Sequence, residues 1–164
     1  MKRAIEKTIE QLQEEGELTA QELEEAEKKA ARLNKSIEKI ILGKDYVSQE
    51  KWLTTKGEIL DYPYRDIRTN KAQEGALNLV PVETARRYNL VPIKLDGDLL
   101  EVGMIDPTNA DAKEALRFIA SRKGIDLDIY LISREGYQHI LRQYESFEGE
   151  VKQALEGLEK KRKE

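Results

Sequence analysis

Cysteine is absent from this 164-residue chain, which excludes disulfide bonds and thiolate zinc sites and suits a reducing compartment. The chain has a single histidine, His139, and one histidine is too few for a usual zinc site. Gln143 occupies the i+4 position, where a second ligand on the same helix face would lie. We therefore predict no metal site and interpret His139 as a surface or hydrogen-bonded residue.

Long apolar runs are also missing. No run approaches the ~20 residues needed to span a bilayer, and the opening MKRAIEKTIEQLQEEGE has no apolar segment of the kind found in secretory signals. The net charge of −4 argues against a general nucleic-acid binder. Neither a phosphate-binding G-x(4)-G-K-[ST] loop nor a G-x-S-x-G motif occurs, so we predict no catalytic residue in this chain.

Residues 1–70 have a helical pattern. Ile5, Ile9 and Leu12 recur at helical spacing on a charged background. Such a stripe must be buried somewhere. It either packs on its own domain or docks onto another protein, and these three residues are our candidates for partner binding.

Turn and capping signals divide this helical region. Gly16 ends the first helix, and Thr19 with Glu22 forms a capping box at the start of the second, which we predict to end near Arg32. We expect Asn34 to cap the third helix and Ser48 the fourth. Because similar turns precede Thr19 and Ser48, the two segments have the pattern of an internal helix-hairpin repeat.

Residues 71–146 have a mixed pattern. Strands are predicted over 91–95, 99–105 and 127–131, with an Asp96–Gly97 turn joining the first two. Helices are expected to begin at Pro81, after a cap formed by Thr108–Asp111 with Thr108 in the capping position, and after Ser133. The chain is therefore predicted to be an α+β protein, with an N-terminal helical hairpin region followed by a small three-stranded sheet covered by helices. We interpret 147–164 as a charged linker or a fraying helix.

Several polar and aromatic residues are candidates for a functional role. We interpret Arg86, Arg87 and Lys94 as a solvated basic face, and Asp106, which precedes Pro107, as a turn residue. The remaining group is aromatic, and its members are equally suited to the core or to an apolar interaction groove: Trp52, Tyr62, Tyr64 and Tyr88.

The amino-acid sequence of the mixed region, residues 71–146, resembles a known protein family. Val80–Pro81, Ala85–Tyr88, Val91–Ile93, Asp96–Gly97 and Asp106–Asn109 match the N-terminal domain of the hexameric GspE/PilB ATPases of type II secretion and type IV pilus assembly. The resemblance covers about residues 10 to 146. It implies a bacterial docking and regulatory domain that links a cytoplasmic motor to inner-membrane machinery through protein partners, as a monomer or weak dimer.

The same resemblance implies that ATP and Mg belong to a separate C-terminal motor, so we expect no cofactor in this chain. In a subgroup related to the mannose-sensitive pilus ATPase, the tandem helical repeat binds cyclic di-GMP through an R-L-G motif and a following glycine. Here Lys7–Ile9 replaces R-L-G in the first copy of the repeat. In the second copy Ser36–Glu38 replaces R-L-G, and Asp45 replaces the glycine that follows. These changes argue against ligand binding, although a cyclic di-GMP sensor and a free-standing adaptor stay as alternatives.

Overall fold

The computed structural model describes the backbone of residues 1–163 and the side chains of residues 1–146 and 153–159. The chain forms two compact units, Met1–Tyr64 and Arg65–Glu164. The sequence pattern predicts this division near residue 70. The chain joins the second unit earlier because the amide of Arg65 already donates to the carbonyl of Leu131 in the sheet, at 3.0 Å.

The first unit is helical. Its elements are α1 (Lys2–Glu14), α2 (Ala20–Leu33), α3 (Ile37–Gly43) and α4 (Gln49–Leu60). Helix α1 packs on α4, and α2 packs on α3. Trp52 on α4 is fully buried, which confirms the core interpretation for this residue.

The predicted caps of this unit are largely confirmed. Thr19 and Glu22 form both hydrogen bonds of the capping box, and the Ser48 hydroxyl accepts from the amide of Lys51 at 3.1 Å. The role predicted for Asn34 is wrong: it ends α2 in the left-handed conformation at φ 53°, and Ser36 caps α3. Asparagine tolerates this conformation better than most residues do, so it serves equally well at a helix end.

The two turns of the helical unit are built alike. The amides of Gly16 and Glu17 donate to the carbonyls of Gln13 and Leu12, and the amides of Asp45 and Tyr46 donate to those of Leu42 and Ile41. Both turns use one residue with positive φ, Gly16 at 76° and Asp45 at 55°. The predicted internal repeat is therefore present in the backbone, although Asp45 replaces glycine in the second copy.

The second unit contains the sheet. Its elements are α5 (Glu74–Leu77), α6 (Val82–Tyr88), β1 (Leu90–Asp96), β2 (Leu99–Met104), α7 (Ala110–Lys123), β3 (Asp126–Leu131) and α8 (Arg134–Lys163). The strands lie in the order β1-β2-β3, with β1 antiparallel and β3 parallel to β2. This architecture confirms the predicted α+β class with a three-stranded sheet.

The sheet has a hydrophobic cluster on each face. Leu90, Val102 and Leu116 belong to the cluster under α7, and Val91 and Ile93 belong to the cluster under α8. A β-bulge between Pro92 and Lys94 shifts the register of β1 against β2. Because a bulge adds one residue to the strand, Leu95 packs with the α7 cluster and not beside Ile93.

Two predicted turns differ in detail. The hairpin loop is Gly97–Asp98 and not Asp96–Gly97, since Asp96 still pairs with Leu99. Gly97 takes the first loop position at φ 60°, which glycine adopts without strain. At α7 the cap is Asn109, whose side-chain oxygen accepts from the amide of Ala112 at 3.1 Å. Thr108 bonds instead to Asp106, which is the predicted turn residue.

The last helix is longer than the sequence suggests. Ser133 caps it, as predicted, by accepting from the amide of Gly136 at 3.0 Å. The helix then continues to Lys163 through the segment interpreted as a linker or fraying helix. Leu155 and Leu158 are exposed on this extension, whereas the side chains at 147–152 and 160–163 lie outside the described residues.

Candidate functional site

The stripe of α1 is divided between core and surface. Leu12 is fully buried, while Ile5 and Ile9 are half-buried. The buried face of this helix consists of Ala4, Thr8 and Leu12. Only Ile5 and Ile9 of the three predicted partner-binding residues therefore have side-chain surface available to another protein.

The motif positions of the second repeat copy are occupied by internal contacts. The Glu38 carboxylate accepts from the indole Nε1 of Trp52 at 3.0 Å and pairs with the Nζ of Lys56 at 2.9 Å. Lys56 is only 4% exposed. Ser36 is used as the cap of α3. Both ends of this Ser36–Glu38 segment thus stabilise the helical unit itself.

The first repeat copy differs in character. Lys7 is exposed, but Thr8 is buried and its hydroxyl donates to the carbonyl of Ala4 at 2.6 Å. Gly16 has open space around its α-carbon, with no heavy atom within 4 Å of a built Cβ. This copy therefore keeps one exposed cation and an open glycine turn.

The aromatic residues do not form one groove. Trp52 lies in the core of the helical unit. Tyr62 and Tyr64 are half-buried and line a pocket of about 350 Å³ in the same unit, beside Gly57. Tyr88 belongs to the second unit and lines a separate groove. The core interpretation therefore holds for Trp52, while an interaction role for Tyr62, Tyr64 and Tyr88 stays a prediction.

The groove that contains Tyr88 lies between α6 and α7 and encloses about 700 Å³. We call it the α6–α7 groove. Its α6 side presents Pro81, Thr84 and Arg87, and its α7 side presents Asp111, Glu114 and Phe118. Opposite charges therefore stand on its two sides.

Phe118 is the most exposed large apolar side chain in the described part of the chain, at 62%. The guanidinium of Arg122 lies 5.6 Å from its ring centroid, within cation–π range. Phe118 is not among the candidates predicted from the sequence. A signal was available, because Ala112, Leu116 and Ala120 form the buried face of α7 and Phe118 falls away from that face.

Two buried tyrosines of α8 hold the α6 side of the groove. The hydroxyl of Tyr137 donates to the carbonyl of Ala85 at 3.1 Å, and that of Tyr144 donates to the carbonyl of Val80 at 2.8 Å. Burial raises the pKa of the Tyr144 hydroxyl. Burial also raises the pKa of the Tyr137 hydroxyl, so both phenols remain protonated donors at neutral pH.

The remaining polar candidates have structural contacts. His139 Nε2 lies 2.8 Å from the carbonyl oxygen of Asn70, in agreement with the interpretation of a hydrogen-bonded histidine. Arg86 pairs with Glu145 at 3.7 Å, and the guanidinium of Arg87 lies 5.4 Å from the ring centroid of Tyr88. The three residues Arg86, Arg87 and Lys94 are exposed, as a solvated face requires.

The described residues contain neither a metal-binding cluster nor a membrane-spanning helix. Among them, no three histidine, cysteine or carboxylate side chains group closely enough to hold a metal ion. Within the same part of the chain, no helix is both long and apolar enough to cross a membrane.

Comparison with known sequences gives two matches. The MshEN domain profile matches residues 60–151, more than half of the chain. The type IV pilus assembly ATPase PilB of Thermus thermophilus is 36% identical over 70 residues, which are 43% of this chain and 8% of that protein. The chain therefore spans only a small part of the length of this relative.

Comparison with solved structures gives the same fold. A structure of MshE with cdg has a TM-score of 0.63 at 22% identity and covers 81% of this chain and 94% of that one. The N-terminal domain of XpsE has a TM-score of 0.56 at 19% identity, with coverages of 85% and 94%. At such identities these likenesses establish the shared fold.

Proposed function

Because this chain belongs to the MshEN domain family, the N-terminal domains of the GspE/PilB ATPases, we propose that it docks a secretion or pilus-assembly motor onto protein partners at the inner membrane. The observation that carries this proposal is the match of the MshEN domain to residues 60–151 together with the likeness to a pilus assembly ATPase. The partner class is the cytoplasmic domain of a membrane-anchored component of the machine.

In this proposal the chain has no turnover of its own. It carries no G-x(4)-G-K-[ST] loop, and the phosphates of ATP need such a loop's amides and lysine in this kind of motor. It contributes contact surface for the partner protein, formed by Ile5 and Ile9 on α1 and by exposed groups of the second unit. The position of the domain is then cytoplasmic and peripheral, reached through the partner and without insertion into the bilayer.

We expect the chain to bind the purified cytoplasmic domain of the machine's membrane-anchored component in a saturable manner, measured by isothermal titration calorimetry. Replacing Ile5 and Ile9 together with aspartate should weaken binding several-fold, because two half-buried apolar side chains are lost from the contact. Glu10→Ala, at an exposed position of the same helix, is the matched control. Absence of binding by the unaltered chain would refute the docking role.

A second candidate function is binding of cyclic di-GMP, which the fold shared with the cdg-bound MshE structure favours. The side chains argue against it, since Glu38 carries negative charge and already bonds to Trp52 and Lys56. We expect no heat on titrating cyclic di-GMP into the chain at concentrations well above micromolar. A saturable signal that Lys7→Ala weakens would establish the sensor function instead.

A further inference from the structure

We propose that the α6–α7 groove binds an amphipathic α-helix of the docking partner, whose apolar stripe covers Phe118 and Tyr88 and whose two flanks carry opposite charges. This inference rests on the proposed function and names a contact surface on the second unit, in addition to Ile5 and Ile9 of α1, and the partner segment that binds it. The groove lies within the residues that match the MshEN domain.

The groove exposes apolar side chains that a bound partner would bury. Phe118 leaves 62% of its surface exposed, and Tyr88, Ala115 and Ile119 beside it are only half-buried. Exposed aromatic side chains that stand next to half-buried apolar ones are typical of contact surfaces. Aromatic anchors at the centre of an interface carry much of its binding free energy. We therefore assign Phe118 as the central contact of this surface.

The charges of the groove specify its occupant. Arg87 stands on the α6 side, while Asp111 and Glu114 stand on the α7 side. A segment lying between them is complementary when acidic residues face α6 and basic residues face α7. In a helix these residues lie on either side of the apolar stripe, so a single amphipathic helix satisfies both sides at once.

Backbone geometry also favours a helix over an extended segment. Both sides of the groove are helices, whose backbone groups are satisfied internally, so they offer no ladder for an added strand. The α7 residues that line the groove run from Asp111 to Ile119, about 12 Å at 1.5 Å per residue, and α6 has 7 residues. A partner helix therefore contacts the groove over about two turns, as in helix-in-groove recognition.

The test compares variants of the whole chain for binding to the purified cytoplasmic domain of the membrane-anchored component. Phe118→Asp should raise the Kd at least about 30-fold, as expected for a hot spot. Glu114→Arg should weaken binding less, and more strongly at low salt than at high salt. Arg117→Glu is the matched control, because Arg117 is exposed on α7 outside the groove. Thermal unfolding of each variant checks that the fold is retained.

The outcomes separate this inference from the proposed function. If the parent chain binds and both Phe118→Asp and Glu114→Arg bind equally well, the proposal that the groove is a binding surface is refuted. The docking role is then left intact. A parent chain that does not bind overturns both. A photo-crosslinking residue placed at position 118 should react with a helical segment of the partner; reaction with a strand, or with a second copy of this chain, contradicts the assignment of the occupant.

Discussion

Replacing Glu38 with alanine is expected to lower the free energy of unfolding of the helical unit by about 3 kcal/mol, because it leaves a buried ammonium without its counter-charge. Lys56 is 4% exposed, and the Glu38 carboxylate is its ion-pair partner at 2.9 Å. The same carboxylate accepts the indole hydrogen bond of Trp52. One substitution therefore removes the acceptor of two buried donors.

Urea unfolding followed by tryptophan fluorescence measures this effect directly, because Trp52 is the only tryptophan and lies in the helical unit. Glu38→Gln should cost less, since its amide oxygen still accepts one of the two hydrogen bonds. Glu27→Ala, at an exposed position of α2, should change the midpoint little. A midpoint for Glu38→Ala equal to that of Glu27→Ala would show that the buried pair contributes nothing to stability.

Gly57→Ala is expected to destabilise the same unit by about 2 kcal/mol, despite the better helix propensity of alanine. A Cβ at Gly57 would stand 2.6 Å from the carbonyl oxygen of Tyr62 and 3.1 Å from the amide nitrogen of Tyr64. The chain folds back here because Asp61 ends α4 in the left-handed conformation and the Tyr62 amide donates to the Gly57 carbonyl. Both obstacles are backbone atoms, which side-chain rotation cannot move aside.

The matched control is Gly43→Ala, at a helical glycine with no heavy atom within 4 Å of a built Cβ. We expect this change to stabilise the unit by about 0.5 kcal/mol, the lower end of the advantage of alanine over glycine in a helix, because Gly43 is the last residue of α3. The same fluorescence-detected unfolding compares the two variants. Equal stabilisation by both would mean that the Tyr62–Tyr64 turn shifts without cost.

Local signals predicted much of the fold. The caps at Thr19, Ser48 and Ser133 are predictable because each hydroxyl has its partner amide three residues later, a relation visible in the sequence. Asn34 was misassigned because asparagine suits a helix start and a left-handed helix end about equally, and only the following Ser36 decides between them. Residue type alone does not separate these two roles.

Features set by distant contacts were not predictable in the same way. The pairing of Glu38 with Lys56 depends on how α3 and α4 pack, and the crowding at Gly57 depends on the return of the chain through Tyr62. The bulge in β1 moves Leu95 to the other face of the sheet, and the local signal at Pro92 does not predict it, because proline suits an edge strand as well as a bulge. The exposure of Phe118 was accessible from the period of α7, yet aromatic residues are so often buried that its type favoured the opposite reading.

The two phenols that join α8 to the α6 segment act as a mechanical coupling. They are spaced about two helical turns apart along α8 and hold two separate carbonyls, those of Ala85 and Val80. Two hydrogen bonds restrain both sliding and pivoting of the α6 segment against α8, whereas a single hydrogen bond would leave pivoting free. Because α8 runs on to Lys163, we expect a displacement of α8 along its axis to strain both of these hydrogen bonds.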